Sequence, residues 1–204
     1  MNDSTKKLTE YFTKFPGIGS RQARRFVYFL LSQKKEFVTG FVASLSDIKE
    51  SIKQCASCYR FFEGSSSLCD ICESKITDTS TLMIVEKDID FENIKKSGIY
   101  HGRYFILGGL LSILEKTPME KIRIRELVKE IGKQVVSSGL KEVIIALSAN
   151  LEGDNTYQYI KKTIEPLKEK HKLKISSLGR GLSTGLELEY SDGETLGNAL
   201  KNRN

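Results

Sequence analysis

All four cysteines of this 204-residue chain fall within one short stretch, CASCYRFFEGSSSLCDIC, as two Cys-x2-Cys pairs separated by ten residues. Each pair can present two thiolates from one turn, and two such knuckles complete a tetrahedral metal site. A stretch this short and this rich in Ser has too little apolar surface for a core, so its folding energy must come from a cross-link or a metal. Two disulfides are the competing arrangement, which an intracellular setting disfavours. A redox Cys-x-x-Cys needs only one pair. The spacing therefore predicts a structural Zn²⁺ held by Cys55, Cys58, Cys69 and Cys72. With every ligand position taken, that ion would do no chemistry.

The rest of the chain is long enough for one medium domain or two small ones. Its 39% hydrophobic content argues against a wholly disordered protein. Apolar runs such as FVYFLL and VIIAL are far too short to span a bilayer, and no basic, apolar leader precedes them. The expectation is a soluble intracellular protein, most simply a cytoplasmic one. The formal charge of +6 is unevenly spread: residues 1–54 hold ten Lys or Arg against five Asp or Glu. That bias suggests a polyanion docking near the N-terminus, with solvated lysines on helix surfaces as the plainer alternative.

Residues 4–34 read as two helices around a sharp turn. Leu8, Tyr11, Phe12 and Phe15 keep helical spacing, as do Ala23, Phe26, Val27, Leu30 and Leu31. FPGIGS lies between them, with Pro16, Gly17 and Gly19 stopping the first helix and Ser20 available to cap the second. Such a turn leaves backbone N–H groups around Gly17 and Gly19 open at a helix N-terminus, where a phosphate oxygen is received without any base being read. Arg21, Arg24 and Arg25 fall opposite the apolar stripe, in reach of further phosphates. An ordinary hairpin with a solvated polar face is the alternative. A third helix is expected over about residues 36–53.

Beyond the cysteines, TLMIVE (81–86) and EVIIAL (142–147) are apolar runs suited to strands buried on both faces, and RYFILGG and KLKISS are weaker strand candidates. Helical patterns lie between them, including Ile124, Leu127, Val128, Ile131 and Val135, and a polar helix around 155–170. Alternating strands and helices imply an α/β unit over about 80–178 with a mainly parallel sheet. The tail reads as Gly-rich, then strand-like, then helical. Glu86 ends one apolar run, while Glu152 and Asp154 follow another in SANLEGDNT, so the three acids can meet at one sheet edge and hold Mg²⁺. Polar strand-end loops, with Asp154 capping the next helix, are the plainer account. Arg180, in LGRGLSTG, reads as a surface arginine or a phosphate contact, and His101 and His171 receive no role.

In order and spacing, FPGIGSRQARRF, CASC with CDIC, IVE with GRYFILGG, LSANLEGDNT, and GRGLSTGLELEYSDGETLGNAL resemble the RecR family of bacterial recombination mediators. The resemblance implies a helix–hairpin–helix over 1–54, a zinc finger over 55–77, a Toprim domain over 78–178 and a C-terminal strand/helix tail over 179–204 used in oligomerisation. It implies a non-catalytic protein of the cytoplasm and nucleoid that encircles DNA as a homo-oligomeric ring, tetrameric or exchanging with dimers. With RecO, and in some bacteria RecF, such proteins help load RecA on gapped DNA. Arg21 and Arg25 match the family's DNA-binding positions, and Glu86, Glu152 and Asp154 match the Toprim acids, a surface for contacting RecO. In Toprim enzymes the later pair is Asp-x-Asp; here its first member is Glu152, so the enzymatic pattern is altered. Ile113, Glu115 and Ser183 depart from the usual proline, aspartate and proline. Two rival readings remain: a Mg²⁺-dependent Toprim nuclease or nicking enzyme using Glu86, Glu152 and Asp154, and a zinc-bearing adaptor that contacts only proteins.

Overall fold

Strand segments that are apolar on both sides, such as LMIV and VIIA, require helices above and below them, and the structure supplies both layers. A computed structural model describes residues 3–114, 117–182, 185 and 187–202. The chain divides into two units, Met1–Ile52 and Lys53–Asn204.

The first unit is helical: α1 (Asp3–Thr13), α2 (Ser20–Ser32) and α3 (Lys35–Ser51). Phe12 of α1 meets Phe26 of α2 edge to face at 5.5 Å, and Phe29 of α2 meets Phe37 of α3 at 6.1 Å. Only Ala23 and Val27 are fully buried among its described residues. Tyr11, Phe15, Phe29, Leu31, Val42, Leu45 and Ile48 remain exposed, so this unit shows far more apolar surface than it hides.

In the second unit, β1 (Ile52–Gln54) and β2 (Phe61–Glu63) form a small ribbon beside the cysteines, followed by a single helical turn, α4 (Asp70–Glu73). Next come β3 (Asp78–Val85), α5 (Asp88–Ser97), β4 (Gly102–Ile106), the short α6 (Pro118–Lys121), α7 (Ile124–Ser138), β5 (Glu142–Ala146), α8 (Leu151–His171) and β6 (Lys174–Ser177). The sheet order is β4-β3-β5-β6, every pairing parallel, with Ile84 opposite both Phe105 and Ile145. Leu82, Ile84, Phe105, Val143 and Ile145 pack on one face against Leu127 and Ile131 of α7 and Ile160 and Ile164 of α8. Met83, Val85, Tyr104 and Ile106 pack on the other face around Phe91 of α5. The expected α/β fold with a parallel sheet is therefore present.

The local differences have physical causes. Helix α8 begins at Leu151, so Glu152 and Asp154 sit in its first turn rather than in a loop, and Asn150 caps it by accepting from the Gly153 N–H at 2.8 Å. The strand expected in the tail is a 3₁₀ turn, Leu188–Tyr190, ahead of α9 (Gly193–Lys201). It pairs with no strand among the described residues, and an unpaired strand leaves its main-chain groups unsatisfied. Ile113 is two-thirds exposed in a turn, whereas Glu115 and Ser183 lie outside the described residues. Among the described residues no helix is long and apolar enough to cross a membrane.

Ile160 is fully buried, so Ile160→Ala should destabilise the second unit by about 2–5 kcal/mol in urea unfolding. Val136 is 80% exposed, and Val136→Ala should change stability by no more than about 0.5 kcal/mol.

Candidate metal centre and nucleic-acid interface

Segment 55–72 folds back so that the thiols of Cys55, Cys58, Cys69 and Cys72 lie within 4.8 Å of one another. The Cys55 N–H donates to the Arg60 carbonyl at 2.9 Å, the Ala56 N–H to the Ser67 carbonyl at 3.0 Å and the Cys69 N–H to the Cys55 Sγ at 3.4 Å. Cys55, Cys58 and Cys69 are buried, and all four thiols are free of disulfides. Cys58 and Cys69 sulfurs stand 3.6 Å apart. A disulfide needs about 2.05 Å, whereas tetrahedral thiolates at about 2.3 Å from Zn²⁺ lie about 3.8 Å apart. The donor set therefore fits a four-coordinate metal.

The four crowded thiols hydrogen-bond to one another, which shifts their pKa values in opposite directions. Cys55 is lowered to about 6, chiefly by a hydrogen bond from Cys58 and also by one from Cys72. Cys69 is lowered as well, while Cys58 and Cys72, as proton holders, are raised. A soft divalent cation bound by the four sulfurs would replace these protons.

The cysteine module is fastened to the sheet by contacts that its spacing does not announce. Tyr59, directly after the second cysteine, adopts a left-handed φ of 63° that costs a non-glycine residue on the order of 1 kcal/mol. Its surroundings hold it there. Its N–H donates to the Cys55 carbonyl at 3.1 Å, its ring lies 5.4 Å from that of Phe105, and the Arg123 guanidinium sits 5.5 Å over its face. The Ile106 N–H donates to the Cys58 carbonyl at 2.8 Å, and Ser57 Oγ donates to Glu130 at 2.7 Å. Arg60 pairs with Asp70 and stacks 4.9 Å from the Phe91 ring.

In the first unit, Gly17 takes a φ of +75° at the turn, and Gly19, not Ser20, is the N-cap of α2. Ser20 is already helical, with its carbonyl accepting from Arg24 Nε at 3.3 Å. Gly19 brings no side chain, so no cap hydrogen bond closes the first turn. The N–H groups of Ser20, Arg21 and Gln22 are thus left toward solvent at the positive end of the helix dipole. The Ile18 N–H, by contrast, is spent on the Phe15 carbonyl at 3.1 Å. Arg21, Arg24 and Arg25 are all exposed on the face opposite buried Ala23 and Val27. Arg25 is steadied by Gln22 Oε1 at 3.3 Å. Open N–H groups beside three guanidinium groups have the chemistry that suits phosphate oxygens.

The acid edge is different. Glu86 follows β3 at 7% exposure, accepting from Ser148 Oγ at 3.2 Å and pairing with Lys87 Nζ at 2.5 Å. This pairing raises the Lys87 pKa. Gly153 is required by close approach, since a Cβ there would meet the Ser148 carbonyl oxygen at 1.8 Å. Glu152 is exposed. Asp154 is engaged by two nitrogens of Arg180, one of them at 3.2 Å, which holds its carboxyl below the usual range. Among the described residues, only the four cysteines place three or more candidate ligand atoms within 4.8 Å of one another. The three acids thus do not bring three candidate ligand atoms together among the described residues. Arg180, read from sequence as a surface or phosphate-binding residue, instead closes on Asp154.

Residues 80–179 match the family model described as the Toprim domain, and residues 181–204 match that of the RecR C-terminal region. Proteins named Recombination protein RecR align along nearly the whole chain. That of Chloroherpeton thalassium is 32% identical, covering 98% of this chain and 96% of the relative. That of Chlorobium limicola is 34% identical, covering 96% and 94%, and that of Lactobacillus delbrueckii subsp. bulgaricus is 35% identical, covering 97% and 94%.

Stripping the metal with a strong chelator should loosen segment 55–72 while sparing the β3 and β5 core. Hydrogen exchange followed by peptide should show fast exchange in 55–72 only, and Cys58→Ser should reproduce it. Unchanged protection would mean that protein contacts alone hold the segment.

Proposed function

This chain belongs to the RecR family of recombination proteins, and from that membership we propose that it is a recombination mediator acting as a non-catalytic DNA clamp. In this reading it binds DNA without sequence preference as a ring-shaped homo-oligomer. It works with RecO, and with RecF where that protein is present, to promote RecA loading during repair in the cytoplasm, at the nucleoid. The observation that carries the DNA contact is the open first turn of α2 with Arg21, Arg24 and Arg25 beside it. One such turn makes few phosphate contacts, and repetition around a closed assembly multiplies them through effective concentration. The exposed apolar surface of the first unit supports self-association, since monomers seldom leave so much uncovered.

Within the same reading, residues 1–54 bind DNA, 55–77 form a structural zinc module, 78–178 are the Toprim domain and 179–204 serve the oligomer. The acid edge at Glu86, Glu152 and Asp154 is a contact surface for RecO. The nuclease alternative draws no support from the geometry, because its three acids face separate partners or solvent. Cleavage of gapped DNA that requires Mg²⁺ and disappears in Glu152→Ala would favour that alternative and overturn the clamp.

Arg21→Glu with Arg25→Glu should weaken DNA binding and flatten its salt dependence, by roughly 0.7–0.9 in log–log slope for each phosphate contact removed. Fluorescence anisotropy across a salt series checks this, and unchanged binding would move the DNA site elsewhere. Elemental analysis of the purified protein should find about one zinc per chain.

A further inference from the structure

A Toprim edge with three acids calls for a divalent cation, yet here each acid is otherwise engaged or turned outward. Mg²⁺ sheds water reluctantly and is held through one or two carboxylates whose oxygens are free to ligate it. Glu86 is taken by Lys87 and Ser148, and both oxygens of Asp154 are taken by Arg180. We propose that Arg180 is the resident cation of this edge: its guanidinium replaces the metal at Asp154 and thereby fastens the C-terminal segment to the Toprim domain.

The chemistry suits the role. A guanidinium stays charged at all relevant pH, and its planar fork matches the two oxygens of a carboxylate. Arg180 lies just beyond β6, so its side chain ties the end of that strand to the first turn of α8. Its carbonyl accepts from Asn202 Nδ2 at 2.7 Å, just past the end of α9. Gly181 lies against Ala199 of the same helix, where an added Cβ would come within 3.7 Å of the Ala199 Cα. One residue thus joins α8, β6 and α9, a task that a bound Mg²⁺ with its own water shell would not perform. The depressed Asp154 carboxyl agrees with a permanent cation at that position.

The test is hydrogen exchange of residues 187–202 in the full-length protein, with and without millimolar Mg²⁺, alongside calorimetric Mg²⁺ titration. Asp154→Asn and Arg180→Gln should each speed exchange of that segment, on the order of two- to tenfold, as expected for loss of a half-exposed two-point ion pair. Arg180→Lys, which keeps the charge but loses the fork, should fall between them and wild type. The swap Asp154→Arg with Arg180→Asp should restore much of the protection. Unchanged exchange in β3 and β5 guards against general misfolding. Wild type should bind no Mg²⁺ at the edge. Single variants that exchange like wild type would overturn the proposal, and so would wild-type Mg²⁺ binding that Asp154→Asn abolishes.

Discussion

Parallel strands can be joined only by chain that crosses back over the sheet, and each crossing must cover a face that would otherwise meet water. In the second unit this requirement places α7 and α8 over one face of β4-β3-β5-β6 and α5 over the other. Everything functional there is positioned from that sheet. The carboxyl ends of β3 and β5 carry Glu86 and Ser148, the end of β6 leads to Arg180, and β4 offers the Ile106 N–H to the cysteine module. A slip of one residue in β3 would exchange Ile84 with Val85 between faces and misplace Glu86 with them.

The cysteine module shows how a segment with only a small cluster of its own is fastened to a larger fold. Four thiols within 4.8 Å of one another fit closure around a metal, but closure alone does not orient it. Orientation comes from Tyr59, held in left-handed backbone between the Cys55 carbonyl, the Phe105 ring and the Arg123 guanidinium. The main-chain bond from Ile106 to Cys58 adds a second fixed point. The strain at Tyr59 is small beside the combined contacts that impose it, which is how such conformations persist.

The first unit and the acid edge use cations in opposite ways. On α2 the arginines are exposed beside an uncapped helix start, and their charge is available to a polyanion. At the edge, Arg180 pairs with Asp154 and Lys87 with Glu86, so charge is neutralised within the chain. The same residue type is thus left exposed at one place and spent on an internal link at the other, according to whether a carboxylate lies within reach.

The sequence by itself determined the local features. Cysteine spacing announces a tetrahedral site because ligand geometry is short-range. Apolar runs and helical periodicity announce the α/β order because burial repeats along the chain, and FPGIGS announces a turn because Pro16 and Gly17 restrict the backbone. The tertiary structure decided what depends on residues distant in sequence. Asp154 meets Arg180, Glu86 meets Ser148, and Tyr59 meets Phe105 only once the strands are in register, and no pattern along the chain encodes those pairings. It also decided that Gly19 rather than Ser20 ends the turn, and that Asn150 rather than Asp154 caps α8, since each helix start is fixed by the packing that follows it. Of the acids that read as a metal trap in sequence, Glu86 became the partner of lysine and serine and Asp154 that of arginine, because a carboxylate's role is set by the nearest charge.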